Sequence, residues 1–346
     1  MESAENARTL VGTPQGVVRT AAIASLATHV PPRILTNADL ETMVETSDEW
    51  IVQRTGIRER HIVDNDVATS DLAAMAGLQA IERAGLTPAD IDFIVVGTTT
   101  PDTIFPSTAC LVQDRIGATR AWGFDLGAAC SGFTYALTTA ATMVATGASR
   151  HALVIGADVM SSIIDYTDRT TCVLFGDGAG AVIVSPSREN GVGIIDFAHE
   201  IDGSGGPALC MPAGGSRLPA SHETVDQRLH YVKQDGPSVF RFAVRKTEEI
   251  FRRLLERNHL TTADIALFVS HQANRRIIES AAAKLGLPDE KVIINIDKYG
   301  NTTGATIPLA LDDAVKARRL KKGDLVLLAS VGAGFTVGSV LLRWTC

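Results

Sequence analysis

Three side chains in this sequence have types and neighbours suited to covalent chemistry. Cys130 stands in FDLGAACSGF, where a strand runs through small residues into a helix. Gly127, Ala128 and Ala129 permit a tight turn, and Gly132 permits close packing of the first helical turn. A thiol there sits at the positive end of a helix, whose dipole and free N–H groups favour the thiolate, the nucleophilic form. The competing reading is a buried core cysteine. His271 lies in SHQAN at the carboxyl end of a strand, and Asn301 lies in the glycine-containing loop KYGNTTGA. Carboxyl ends of strands are where α/β proteins place their sites. Cys, His and Asn in that order also occur in papain-like proteases, but ACSGF lacks the CGSCW-type flank.

The elements that must carry these residues alternate. DFIVVGT (92–98), AWGFDL (121–126), HALVIGA (151–157) and GAVIVS (180–185) read as strands, with helices near 71–84 and 131–146. The second part repeats the rhythm. A helix over 239–258 puts Phe240, Val244, Thr247, Phe251 and Leu254 on one face. Strands follow at 266–271, 292–296, 325–330 and 339–344, with a helix at 274–285. The pattern predicts an α/β fold with a largely parallel sheet covered on both faces.

The two parts also resemble each other. LTPADIDFIVV (86–96) matches LTTADIALFVS (260–270), 174 positions on. Leu153–Val154–Ile155 matches Val326–Leu327–Leu328 at 173, and Gly132 matches Gly304 at 172. Asp125 and Leu137 match Asp297 and Leu309 at that same offset of 172. Half of the 346 residues is 173, so the chain reads as a duplicated α/β unit whose halves meet at a pseudo-twofold axis. The same offset sets Asn301 against Ala129, beside the cysteine.

Composition removes several classes. Apolar residues make up 45% of the chain, which excludes a disordered one. The net charge of -7 argues against nucleic acid as a partner. No run approaches a membrane span, and residues 1–20 lack the apolar core of a signal peptide. Residues 1–17, with Gly12, Pro14 and Gly16, are expected to form a flexible N-terminal extension. The five cysteines show no CxxC and no metal-ligand spacing, so no metal is expected and a reduced, cytoplasmic setting is. FGDGAGAVIV (175–184) looks like a phosphate cradle, but a strand follows it instead of a helix. It reads as a turn where backbones pass closely.

ACSGF, HQANRRI, NTTGA, FGDGAGA and SDEWIVQRTGI together resemble the β-ketoacyl-acyl carrier protein synthase III family, from about residue 18 to the end. The resemblance implies the thiolase fold, with two βαβαβαββ halves in five α-β-α-β-α layers, here 18–190 and 191–346. It implies initiation of type II fatty acid synthesis. A short acyl-CoA, acetyl-CoA in the simplest case, would be condensed with malonyl-acyl carrier protein. No cofactor is implied, because the CoA thioester is a substrate. Cys130 becomes the acylated nucleophile, and His271 and Asn301 the decarboxylation pair. The backbone N–H groups of Cys130 and Ala333 become the oxyanion hole. Trp50 and Arg169 would clamp the CoA adenine and Arg54 its phosphates. Phe105 would reach the acyl pocket of the partner in a homodimer. Gln272, Ala273 and Asn274 would meet the carrier protein.

One charge pattern supports that last surface independently. Residues 241–284 hold nine Lys/Arg and five acidic residues, a local excess of +4. Acyl carrier proteins are acidic, which makes Arg241, Arg275, Arg276 and Lys284 docking candidates. Val331, Val337 and Gly127 depart from the family's usual residues near the site, which bears on acyl preference more than on chemistry. A related condensing or acyl-transfer enzyme of secondary metabolism is the alternative reading.

Overall fold

The computed structural model describes residues 20–187, 189 and 191–346. The expected extension at 1–17 lies outside them. The first half contains β1 (Ala21–His29), α1 (Asp48–Thr55), α2 (Thr69–Arg83), β2 (Phe93–Gly97), α3 (Thr108–Ile116), β3 (Trp122–Leu126), α4 (Gly132–Ala145), β4 (Ala152–Asp158) and β5 (Gly178–Pro186). The second contains β6 (Gly193–Ile201), α5 (Gly236–Arg257), β7 (Leu267–Ser270), α6 (Arg275–Leu285), α7 (Thr306–Lys316), β8 (Leu325–Gly332) and β9 (Thr336–Arg343). The sheets run β1-β5-β4-β2-β3 and β6-β9-β8-β7, the same wiring twice. The break between the halves falls in the turn between β5 and β6.

Burial explains the layering. Phe93, Val95, Val154, Leu267, Val269, Val326 and Leu328 point inward and share one apolar core with α4 and α7. The opposite faces of the two sheets carry separate cores, under α2 and α3 on one side and α5 and α6 on the other. Five layers result: helices, sheet, α4 with α7, sheet, helices. Helix α5 buries Val244, Thr247, Phe251 and Leu254, and leaves Phe240 half-buried.

Three expectations need correction. The sheets are mixed, because β5 pairs antiparallel with β1 and β4, and β9 with β6 and β8. The last two strands of each half follow one another without a crossover helix long enough to force a parallel return. The strand expected at 292–296 is reduced to one parallel bridge between Val292 and Phe268. The Gln272 amide replaces the missing rungs: it donates to Ser270 O (2.8 Å) and Ile293 O (3.2 Å) and accepts from the Asn295 N–H (3.1 Å).

The third correction concerns register. Leu153 faces the outer core and Val326 the inner one, so an offset of 173 joins opposite faces of the sheet. At 174 the parallel strands agree: Phe93 corresponds to Leu267 and Ala152 to Val326, and Phe93–Ala152 and Leu267–Val326 are ladder partners, each within its own sheet. The counterpart of Ala129 is then Thr303 rather than Asn301. Both residues adopt left-handed backbone, at φ 46° and 51°, and each opens a short 3-10 turn, 129–131 and 303–305, before a helix.

Candidate active site

Cys130 sits in the first of these turns. Its position is set by backbone contacts that cross between the halves. The Thr336 hydroxyl donates to Ala128 O at 2.8 Å. Gly332 comes so close that a Cβ there would lie 2.8 Å from Cys130 N. Only glycine lets the β8–β9 turn cover the cysteine. Cys130 is buried. The expected thiolate is not what the resting environment favours: burial, and then the negative charge of Asp158, push the thiol up to about 12. Desolvation here outweighs the helix terminus.

Asp158 is fully buried, with no basic partner among the described residues. Its Oδ1 accepts from the Thr99 N–H (2.7 Å) and from the hydroxyls of Thr98, Thr99 and Thr100, and Oδ2 from the Gly304 N–H (2.9 Å). Burial makes its carboxyl group a weaker acid than usual, raising its pKa against the effect of those bonds. It ties the turn that faces Cys130 to the first half.

Asn301 is held by backbone pairing with the 174–176 stretch: its N–H donates to Leu174 O (2.8 Å), and Gly176 N–H donates to Asn301 O (3.1 Å). The FGDGAGA glycine loop thus anchors the asparagine. The Thr303 N–H donates to Asn301 Oδ1 at 3.0 Å. That contact fixes the amide orientation and leaves Nδ2 as the free end. His271 directly follows β7 and is buried. Its Nδ1 lies 2.6 Å from Thr306 Oγ1, and its Nε2 is buried without a partner among the described residues. Burial lowers its basicity to about 3, so the imidazole is neutral near pH 7.

Cys130, His271 and Asn301 line one cavity of about 550 Å³, together with Trp50, Arg54, Arg241 and Arg276. A second chamber of about 130 Å³ adjoins Cys130 and Ala333, walled by Met160, Ile163, Phe175, Leu209, Met211 and Val232. One group of residues therefore offers a buried thiol, a neutral imidazole, a carboxamide and an apolar annex to the thiol. Among the described residues, no group of three or more His, Cys, Asp or Glu could hold a metal ion. No helix is long and apolar enough to cross a membrane.

This arrangement has known counterparts. Two family models match, "3-Oxoacyl-[acyl-carrier-protein (ACP)] synthase III" over residues 124–203 and its C-terminal counterpart over 255–344. A β-ketoacyl-[acyl-carrier-protein] synthase III from Solibacter usitatus is 60% identical, over 94% of this chain and 98% of that relative. The chain belongs to the β-ketoacyl-[acyl-carrier-protein] synthase III family. It is a condensing enzyme of the acyltransferase type, acting at the initiation of fatty acid synthesis. The enzyme of this family from Thermus thermophilus is 45% identical in sequence, with TM-score 0.87, covering 93% of this chain and 99% of that one. A priming β-ketosynthase from the R1128 polyketide pathway is 36% identical, with TM-score 0.88, covering 97% and 99%. The thiolase fold expected from the sequence is therefore the fold observed.

The remaining expected residues fall into three groups. At the cavity mouth, the Arg169 guanidinium rests 4.9 Å above the Trp50 ring and the Arg54 guanidinium lies 5.4 Å from it. Trp50 and Arg169 are thus in direct contact, drawn together by cation–π attraction, and not open around a gap. Arg169 also donates to Glu45 O at 2.8 Å. Phe105 forms a separate case: it is 83% exposed and lines neither cavity of its own chain.

The basic stretch divides sharply. Arg245, Lys246, Arg252, Arg253, Arg257, Arg275 and Lys284 all form ion pairs, with Glu248, Glu249 and Glu279 from the stretch itself and with Asp196 and Glu200 from β6. Arg241 and Arg276 have no carboxylate partner among the described residues, and both line the mouth. A count along the chain could not see acids supplied by another strand. Ala273 and Asn274 also line the mouth, where Asn274 caps α6 and donates to Arg54 O (3.0 Å). Gln272 is buried, with its amide spent inside the fold, so it has no surface to offer a docking protein. Asp158, Thr303 and Thr306 escaped the sequence reading, although the last two lie inside NTTGAT.

Proposed function

We propose that this cavity performs a decarboxylative Claisen condensation of a short acyl-CoA, acetyl-CoA in the simplest case, with malonyl-acyl carrier protein. Cys130 Sγ attacks the acyl-CoA carbonyl, the bond from that carbonyl to the CoA sulfur breaks, and CoA leaves with the thiol proton. A covalent intermediate of this kind gives ping-pong kinetics. Malonyl-acyl carrier protein follows. Its bond to the terminal carboxylate breaks, CO2 departs, and the electron pair becomes an enolate. The enolate carbon attacks the acyl-Cys130 carbonyl. The C–S bond breaks, the sulfur takes a proton, and 3-ketoacyl-acyl carrier protein is released.

The residue chemistry suits each step. The enolate oxygen needs preorganised donors, and His271 and Asn301 Nδ2 supply them without a fixed charge. The N–H groups of Cys130 and Ala333 serve the acyl carbonyl. The chamber of about 130 Å³ has room for about four groups of water size, at ~30 Å³ each, which fits a short acyl chain. Trp50, Arg54 and Arg169 receive CoA, with Arg169 swinging off the indole to admit the adenine. Arg241 and Arg276, with Ala273 and Asn274, form the rim that meets the carrier. Phe105 enters the chamber of a partner subunit in a homodimer, and the reaction runs in the cytoplasm without a cofactor. The observation that carries this reading is the orientation of Asn301: its Oδ1 is occupied by Thr303 N–H and its Nδ2 is left free, in the cavity of Cys130 and a neutral His271.

The test is intact-protein mass spectrometry after incubation with acetyl-, propionyl-, butyryl- and longer acyl-CoAs, followed by addition of malonyl-acyl carrier protein. Loading on wild type but not on Cys130→Ser, then release as 3-ketoacyl carrier product, is the expected result. Absence of that product with every short acyl-CoA sinks the fatty-acid reading. The likeness to a polyketide-priming synthase favours a second reading, in which the acceptor is the carrier of another pathway. Parallel assays with the two types of carrier separate them.

A further inference from the structure

The imidazole of His271 is neutral, so one of its nitrogens carries a proton and the other a lone pair. Among the described residues its imidazole has one partner, Thr306, whose hydroxyl has a single proton and two acceptors in reach: His271 Nδ1 at 2.6 Å and Thr303 O at 3.2 Å. The two choices have opposite consequences. If Thr306 donates to Thr303 O, its oxygen must accept an Nδ1–H, and Nε2 is left as a lone pair. If Thr306 donates to Nδ1, the imidazole proton stands on Nε2.

We propose that Thr306 is a positioning residue: its hydroxyl donates to His271 Nδ1 and so holds His271 as an Nε2–H donor. The 2.6 Å contact forms with either tautomer, but the competing use of the hydroxyl proton, on Thr303 O, is at 3.2 Å and is the weaker bond. The neighbouring amide is arranged in the same sense. The turn at 303–306 orients both groups, Asn301 through the Thr303 N–H and His271 through the Thr306 hydroxyl, and Asn301 is left presenting a donor. Two donors suit one anionic oxygen, whereas a donor beside a lone pair does not. Nε2 is buried and has no other partner to fix its state. The turn is itself pinned to the first half through Gly304 N–H and Asp158. The inference rests on the reading of His271 and Asn301 as the decarboxylation pair.

Two measurements test it. In ¹⁵N-histidine NMR of the full-length enzyme, with the His271 signals assigned by their loss in His271→Ala, Nε2 is expected to resonate as a protonated nitrogen and Nδ1 as an unprotonated one. The reverse assignment overturns the proposal without any appeal to activity. In half-reaction assays, Thr306→Val is expected to load acyl-CoA within about two-fold of wild type. Its condensation step is expected to fall about 10- to 100-fold, at or below the usual reach of a positioned proton donor. Thr306→Ser, which keeps the hydroxyl, is expected to restore condensation to within about three-fold. Wild-type condensation by Thr306→Val, or no rescue by Thr306→Ser, overturns the proposal; the NMR result stands even where the valine variant fails to fold. His271→Ala separates the layers: if it condenses normally, the decarboxylation reading fails and takes the proposal with it. If it does not, and Thr306→Val does, only the role of Thr306 is lost.

Discussion

The two halves put different chemistry at the same place. In the first, β2 ends at Gly97 and α4 begins at Gly132, and the two backbones touch: a Cβ on Gly97 would lie 2.6 Å from the Gly132 carbonyl carbon. At an offset of 174 their counterparts are His271 and Thr306, which meet through a 2.6 Å hydrogen bond. The neighbouring turns differ in the reverse sense. Cys130 in one half corresponds to Gly304 in the other, whose contribution is a backbone N–H to Asp158. Duplication supplies a frame of strand ends facing each other across a central layer. Function comes from breaking the equivalence, with a nucleophile on one side and a pair of donors on the other.

That comparison can be broken at several points, in descending order of effect. Cys130→Ser is expected to abolish acyl loading, a loss of at least about 10³-fold, read by intact mass. His271→Ala and Asn301→Ala are each expected to keep loading and to lose about 10²- to 10³-fold in condensation, the usual loss for a preorganised donor. Equal loss of both half-reactions in His271→Ala would reassign the histidine.

Making the halves more alike is expected to cost stability. Gly97→Ala forces a methyl into the Gly132 backbone, and overpacking of this kind costs about 1–3 kcal/mol, measured by urea unfolding. Gln272→Ala strips the partners from Ser270 O, Ile293 O and Asn295 N–H, and each unsatisfied buried group costs about 1–3 kcal/mol. Arg275→Ala, between Asn274 and Arg276, is expected to stay within about 0.5 kcal/mol, because its pair with Glu279 is exposed.

The remaining tests use pH, and the second is comparable in size to the packing substitutions. His271 is held neutral down to about 3, so its own titration leaves condensation flat between pH 5 and 8. His199 is half-buried against Tyr135 and Phe197, and this partial burial lowers it from 6.5 to about 4. The unfolded chain therefore binds that proton more readily. The contribution of His199 to stability is complete above pH 6.5 and falls away as pH drops toward 4. A urea midpoint that is flat from pH 7 to 4.5 in wild type and in His199→Phe alike would contradict this.

Much of the frame was legible along the chain, for physical reasons. Strands β2, β4, β7 and β8 are uninterrupted apolar runs because both of their faces are buried. Cys130 and His271 were legible because each lies where a strand gives way to a turn, and Asn301 because its loop opens onto the helix α7. β1 and β6 were not: Ala21–His29 is rich in alanine, and Gly193–Ile201 mixes Asp196, His199 and Glu200 into the strand. The run at 292–296 looks like a strand but gives its hydrogen bonds to the Gln272 side chain. The acids that neutralise α5 come from β6, and the proton relation of His271 to Thr306 depends on a contact across 35 positions. A tertiary contact of that kind leaves no local periodicity to read.

The high setting of the Cys130 thiol also decides how the molecule meets oxidants. Peroxide and alkylating reagents are attacked by the thiolate, and burial together with the charge of Asp158 holds Cys130 as the thiol at pH 7. Cys110, by contrast, lies on the surface. Between turnovers the nucleophile is chemically muted by its own burial and by Asp158. The expected consequence is slower inactivation by a peroxide pulse than in a synthase that stores its cysteine as an exposed anion.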